Sequence, residues 1–534
     1  MKVPAARIAA VLVLLTLFAG VLRFAAIDFG LPDRFRPDEE YLVANALGFQ
    51  EDSNPHFAIY PAAQIYLLHA ALRLSTALEG HEGDFRTAYA GAAGLGRAHL
   101  IGRGLAATFG TASVPALYWA LAPAWGTGAG LAAAAVLATS TLHVRESKYA
   151  TTDAACTFWL VLAIGAALRV VRGGRLRASL ALGLFTGLAI ATKYPAASFM
   201  VALGLAHIGA RHREGRSLWR TAFDLRAWSS VWVACTVFVA VTPWLWLDWA
   251  QTVADFEYQR GFVTYGIGNA FSGHGWLWLL GTALPDSLGP ELALATIAAT
   301  LWAALVRRPP GAFSLLAFLL VAAAGISASH YVFYRYLLVP LPVLAAFTGL
   351  GLAAVGARLR ARFGNAIGFA ITLLLVAALL LPGTIRDYKL IRLFARRDSR
   401  TVAREWIEQN VPPGVPIATT VPDSPYGKPQ LEGRNPWILL DSPMSLASRG
   451  VLWVLLDESP LRFYSPPTPA DLIESLQNLG QVRLDVNPHK PASPEPVFDQ
   501  ADAFYIPLQH GSSMKRPGPR IRIWEIDPTK GKTP

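Results

Sequence analysis

Long apolar stretches alternating with short turns that collect Lys and Arg are the feature that most limits what this chain can become. Runs such as 5–27, 155–171, 229–247 and 365–383 approach the ~20 apolar residues that one helix needs to cross a bilayer. A water-soluble fold of this size carries about 25% charged residues, whereas this chain of 534 residues has 16% charged and 53% hydrophobic. The expected fold is therefore mainly α, a polytopic transmembrane helical bundle. The spans read as about 5–27, 99–122, 128–142, 155–171, 179–193, 195–209, 229–247, 286–306, 311–328, 337–356 and 365–383, roughly eleven in all.

The net charge of +11 invites a nucleic-acid partner, and the positions of the charges argue against one. The excess lies in five places: Lys2 and Arg7; Arg169, Arg172, Arg175 and Arg177; Arg211, Arg213, Arg216, Arg220 and Arg226; Arg307 and Arg308; Arg358, Arg360 and Arg362. Basic turns between apolar helices mark the cytoplasmic side of a membrane protein, so the excess is topology and no nucleic acid is expected. Cys156 and Cys235 both fall in apolar stretches and read as core packing. The first run follows Lys2 and Arg7 without a clear small-x-small cleavage site, which reads as an uncleaved signal anchor.

Sidedness turns on residues 61–78, apolar but holding Gln64, His69 and Arg73. A full crossing there would send every later basic turn outside. Placing 61–78 at the interface keeps Arg73 out of lipid and all basic turns inside. Segments 28–98 (with Glu51, Asp52, Glu82 and Asp84), 143–154, 248–285, 329–336 and everything after 384 then face outward. Residues 1–385 form the expected transmembrane domain and 386–534 an extracytoplasmic α/β domain. In the latter, 401–410 and 470–480 read as helices; 451–456, 503–506 and 521–526 are short apolar runs, the last alternating like a strand.

Four polar constellations fall on the outward side. Arg36-Pro37-Asp38-Glu39-Glu40-Tyr41 has the Pro-then-acid pattern of a helix N-terminus, and equally offers a carboxylate able to take a proton from an acceptor hydroxyl. The stretch from His143 to Asp153 packs Arg145, Glu146 and Lys148 between two spans; Glu146 and Asp153 share a face if it is helical, while Asp153 also suits a helix start and the cations suit headgroup anchoring. Lys193-Tyr194-Pro195 breaks an apolar run, where a lysine either snorkels or neutralises a lipid phosphate. His330 to Tyr336 places Arg335 at the mouth of a span, a guanidinium suited to phosphate, among aromatic-belt tyrosines.

In order, these motifs (RPDEEY, HVRESKYATTDAACTFW, GLAIATKYPA and FYRYLLVPLPVL) resemble the GT-C superfamily of membrane glycosyltransferases, especially glycosyltransferase family 39, over roughly residues 1–385. That family contains protein O-mannosyltransferases and the lipid A aminoarabinose transferases. The resemblance implies transfer of a sugar from a polyprenyl-phosphate donor to a lipid, glycan or protein acceptor, usually with inversion. It makes Asp38 the catalytic aspartate with Glu39 beside it, Asp153 the second-loop acid, Lys193 the lysine near the lipid phosphate and Arg335 the late basic residue. Glu146 stands where many relatives carry aspartate, so the second-loop role lies between Glu146 and Asp153.

The expectation is thus an integral membrane glycosyltransferase with Asp38, Glu39, Glu146 and Asp153 as catalytic carboxylates. Lys193, Arg335, Tyr194, His143, Lys148 and Tyr336 are the expected substrate contacts. Carboxylates near a phosphate permit a divalent metal without requiring it, and no cofactor is otherwise implied. A transporter or flippase of lipid-linked saccharides is the rival, disfavoured because the ionisable residues sit at one surface rather than mid-membrane. Ala- and Arg-rich composition points to a bacterial source, hence to the cell inner membrane with the tail in the periplasm.

Overall fold

A computed structural model of the chain describes residues 4–49, 53–80, 85–215, 224–265, 275–330, 332–442, 445–446, 449, 451–459, 461, 468–499, 503–527 and 529–530. Lys2, Glu51, Asp52, Glu82, Asp84, Arg216, Arg220 and Tyr331 lie outside the described residues. The helices, in chain order, are α1 (Ala5–Phe24), α2 (Pro37–Gly48), α3 (Ala63–Leu78), α4 (Gly91–Trp125), α5 (Thr127–Ala138), α6 (Thr141–Glu146), α7 (Asp153–Val171), α8 (Leu176–Thr192) and α9 (Phe199–Arg213). After them come α10 (Leu225–Val241), α11 (Trp249–Tyr265), α12 (Pro290–Trp302), α13 (Ala312–Ser327), α14 (Leu341–Phe363) and α15 (Asn365–Phe394). Among the described residues six helices are long and apolar enough to cross a membrane, and α5, α8, α10 and α13 are shorter apolar helices.

The ends of these helices sort by charge. α7 leaves Asp153 and ends at Arg169 and Arg172, and α8 returns from Arg175 to Lys193, whose ammonium meets the Asp153 carboxylate. The basic turns therefore lie at the end of the bundle opposite these polar residues, as the charge pattern predicts. α3 packs Ile65, Leu68 and Leu72 against Leu42, Val43 and Ala46 of α2 and against Phe85 and Tyr89. Arg73 stays exposed, its guanidinium 4.8 Å from the centre of the Phe85 ring.

Close backbone approach sets the spacing of the inner helices. Gly183 and Gly187 face α10 so tightly that an added Cβ would lie 2.4 Å from the Ser230 carbonyl oxygen and 2.6 Å from that of Ala234. This is the small-xxx-small contact by which apolar helices pack where hydrophobic exclusion supplies little drive. Gly349 of α14 does the same against α5, its Cβ position 2.5 Å from the Ala129 carbonyl oxygen.

α15 continues to Phe394, so the expected division at 385/386 falls inside a helix. Beyond it come α16 (Ser399–Asn410), α17 (Ala470–Leu479) and a five-stranded sheet of β1 (Ile417–Thr419), β2 (Trp437–Leu439), β3 (Trp453–Glu458), β4 (Gly480–Val486) and β5 (Arg520–Ile526). The order is β2-β1-β3-β5-β4; β1 runs parallel to β2 and β3, and β5 antiparallel to β3 and β4. Trp453 and Leu455 of β3 pack with Ala403 and Ile407 of α16, while Val454 and Leu456 pack with Leu476 and Leu479 of α17. A strand covered on both faces reads as a continuous apolar run.

The apolar run at 503–506 forms no strand. Those residues pack instead against the helical bundle, where Phe504 lies 4.5 Å from Phe29 in a cluster with Phe35, Tyr149 and Phe394. Polar ties reinforce the seat: Tyr426 donates to Glu40 at 2.6 Å, Thr401 donates to Asp33 at 2.7 Å, and Arg404 pairs with Asp33 at 3.0 Å.

Gly183→Val should cost about 1–3 kcal/mol through overpacking, read as a lowered melting temperature of the purified protein in detergent. Gly204→Ala, whose added Cβ meets nothing within 4 Å, should leave that temperature unchanged.

Candidate active site at the head of the bundle

Asp38 stands in the first turn of α2, which Pro37 opens because its fixed φ suits the first helical position. Its Oδ2 is paired with Arg335, and its Oδ1 accepts a hydrogen bond from the Tyr60 hydroxyl at 3.0 Å. Arg335 lies in a 3₁₀ turn (Tyr334–Leu338) that leads into α14. The second pair is Asp153–Lys193. Asp153 opens α7, but its side chain reaches across to the lysine and makes no capping bond. Lys193 is extended, with φ −155°, where the chain leaves α8 and enters the 3₁₀ turn Tyr194–Ser198. Its ammonium lies 5.8 Å from the centre of the Tyr336 ring. Asp38, Arg335, Tyr60, Asp153 and Tyr336 act on one another electrostatically. Four expected residues, from segments far apart in sequence, thus converge with Tyr336 at one end of the bundle.

The other expected residues are committed elsewhere. Glu39 turns away from Asp38 and receives two hydrogen bonds from Arg103 of α4, both at 2.9 Å, and one from the Ala150 N–H at 2.7 Å. Glu146 accepts from Arg145 at 2.7 Å and from Arg36 at 3.2 Å. α6 is buried on every side, so its ionisable side chains have internal partners rather than lipid headgroups. His143 contacts the Arg23 guanidinium at 2.6 Å, and Lys148 donates to the Arg23 and Ala25 carbonyl oxygens at 3.2 and 2.5 Å. Both fasten the end of α1. Tyr194 donates to the Ala58 carbonyl oxygen at 2.8 Å.

Sequence reasoning passed over three kinds of partner. Arg103 and Arg23 lie within apolar stretches, where a buried cation demands a counter-group. Tyr60 adjoins the interfacial segment. Asp499, from the C-terminal part, accepts from Arg145 at 3.0 Å and from the Tyr334 N–H at 3.1 Å, and no motif marks it.

These pairings fix the charge states. Burial opposes ionisation of Asp38, but Arg335 and then Arg36 outweigh it and hold the carboxyl at about 2. Glu146 is likewise lowered, Arg145, Arg36 and Arg335 overcoming its burial. Burial raises the Tyr60 phenol well above its ordinary value and Tyr336 to about 12, so both remain hydrogen-bond donors at neutral pH. Among the described residues no three of His, Cys, Asp and Glu come together closely enough to hold a metal ion. The arrangement offers two carboxylates, two cations and two phenols at the bundle's polar end.

Residues 63–257 match the model of the family described as Dolichyl-phosphate-mannose-protein mannosyltransferase. That stretch contains Asp153 and Lys193. No curated protein matches in sequence. The fold is shared with the oligosaccharyltransferase AglB of Archaeoglobus fulgidus carrying a tethered acceptor peptide (TM-score 0.52, 13% identity, 90% of this chain and 72% of that one). It is shared also with AglB in complex with an inhibitory peptide and a dolichol-phosphate (0.51, 13%, 89% and 72%). ArnT of Cupriavidus metallidurans in the apo state aligns over 98% of this chain and 99% of its own (0.50, 14%). Its apolar helices and small C-terminal sheet thus give this multi-pass membrane chain the fold of these transferases, and residues 63–257 within it carry the mannosyltransferase family match.

Proposed function

We propose that this enzyme moves a sugar from a polyprenyl-phosphate donor to a hydroxyl or phosphate acceptor at the outer face of a bacterial inner membrane, with the C-terminal sheet in the periplasm. The observation that carries the reading is the meeting of the Asp38–Arg335 and Asp153–Lys193 pairs at the end of the bundle opposite the basic turns. Support comes also from AglB, which shares the fold and was solved with a dolichol-phosphate.

In this reading Arg335 and Lys193 take the donor phosphate. Phosphate draws Arg335 away from Asp38 and removes the pull that keeps the carboxyl near 2, a value too low for an effective base at neutral pH. The acceptor oxygen then attacks the anomeric carbon as its proton passes to Asp38. The bond from that carbon to the phosphate oxygen breaks, and polyprenyl phosphate leaves with its charge held by the two cations. Attack opposite the leaving group inverts the anomeric centre. Glu39 and Glu146 organise the site through Arg103, Arg145 and Arg36, and Asp153 orients Lys193.

A strain whose sole copy is Asp38→Asn should accumulate the same lipid-linked sugar as a deletion strain, by mass spectrometry of lipid extracts, at unchanged protein level. Normal lipids in that strain would remove Asp38 from the mechanism. Lys193→Ala should weaken binding of undecaprenyl phosphate to the purified protein by about 10–100-fold, the loss of a hydrogen bond between charged groups.

The pH dependence has a definite sign. With its carboxyl at about 2 in the free enzyme, Asp38 should impose no acid limb on kcat/KM above about pH 4. Arg335→Gln should raise the Asp38 pKa and move that limb upward, measured by transfer in membranes.

A further inference from the structure

Asp499 belongs to the C-terminal part, yet its carboxylate is 6% exposed and seated in the helical bundle. Each oxygen has a separate task. Oδ1 accepts from the backbone N–H of Tyr334, the residue immediately before Arg335, at 3.1 Å. Oδ2 accepts from Arg145 at 3.0 Å; Arg145 Nε donates to Glu146 at 2.7 Å; and Glu146 accepts from Arg36 at 3.2 Å. Arg145, Glu146 and Arg36 are 1%, 0% and 4% exposed, so this chain of charge-assisted bonds runs through a dry region where geometry is strongly held. One arm stops at the amide next to Arg335; the other reaches Arg36, which also acts on Asp38, through Arg145 and Glu146.

The segment carrying Asp499 is itself fastened. Arg145 also donates to the Ile506 carbonyl oxygen at 3.1 Å, and Gln509 donates to Asp286. Asp286 in turn accepts from the Tyr334 hydroxyl at 2.7 Å. Tyr334 is thus gripped at its amide by Asp499 and at its phenol through Asp286, which leaves Arg335 little freedom at the start of its turn.

We propose that Asp499 is a positioning residue that sets Arg335, and through Arg145 and Glu146 also Arg36, so that the C-terminal part completes the phosphate-binding side of the active site. The inference rests on the reading of Arg335 as a phosphate ligand given above. Asp499 touches no reacting atom; it acts through residues that do.

The test is a double-mutant cycle on the full-length protein in detergent, with undecaprenyl phosphate as the probe and its Kd as the readout. Arg335→Ala and Asp499→Ala should each weaken binding, the latter by about 10-fold, as expected when a ligating group is displaced by a fraction of an ångström to an ångström. In the Arg335→Ala background, Asp499→Ala should change the Kd by less than about twofold, because coupled residues do not add. Asp499→Asn keeps the size and one acceptor oxygen, and carries the same cycle if the alanine variant does not fold. Wild-type affinity in the folded Asp499 variants, or an equal loss with and without Arg335, would overturn the inference alone. Unchanged affinity in Arg335→Ala would sink the phosphate reading, and this inference with it.

Discussion

Charge taken into a dry interior has to be neutralised where it lies, and the head of this bundle is organised around that requirement. Glu39 is met by Arg103, Glu146 by Arg145 and Arg36, and Asp153 by Lys193, each cation or carboxylate in a different stretch of chain except for the neighbours Arg145 and Glu146. Removing one half of a buried pair strands the other at a cost of about 3–5 kcal/mol. Such pairs therefore add little net stability and a great deal of registration. They fix where α2, α4, α7 and α8 stand relative to one another, which apolar packing alone leaves tolerant of sliding. The Asp38–Arg335 pair differs in one respect. Its side chains are 23% and 12% exposed, against 1–7% for the pairs of Glu39, of Asp153 and of Glu146 with Arg36. It is the most open of these pairs.

Much of this was legible in the sequence because charge is conspicuous in an apolar chain. Asp38, Asp153, Lys193 and Arg335 all sit at helix ends or in the turns beside them, where a polar residue interrupts an otherwise hydrophobic reading, and the basic turns supplied the sidedness that joins them. What the sequence does not disclose is direction. In α6 six consecutive residues are buried, so periodicity has no exposed face to report, and nothing local says that Lys148 turns to the end of α1 while Glu146 turns to Arg36. Arg103 lay within a stretch read as a span. The cost of burying it was a clue to a partner, though not to which one.

The C-terminal part was legible in its longer elements and opaque in its shorter ones. α16, α17, β3 and β5 follow recognisable periodic or apolar runs, whereas β1 and β2 have three residues each, too few to show alternation. The apolar run at 503–506 exists for a different reason than strand formation: with Phe498, Phe504 and Tyr505 join a cluster whose other aromatic members, Phe29, Phe35, Tyr149 and Phe394, belong to the first loop, the second loop and the end of α15. Hydrophobicity there signals docking, and a one-dimensional pattern cannot distinguish a sheet core from a seat on another part of the molecule.

That aromatic seat has a bearing on how the protein is made. Phe29 and Phe35 leave the ribosome long before Phe504, and the helices between them must be threaded into the bilayer in the interval. Through that time Phe29, Phe35 and Tyr149 stand without the Phe504 side chain that fills their cluster. Docking of the C-terminal segment on the head is therefore a late event, completed only after the helices between Phe35 and Phe394 have been made.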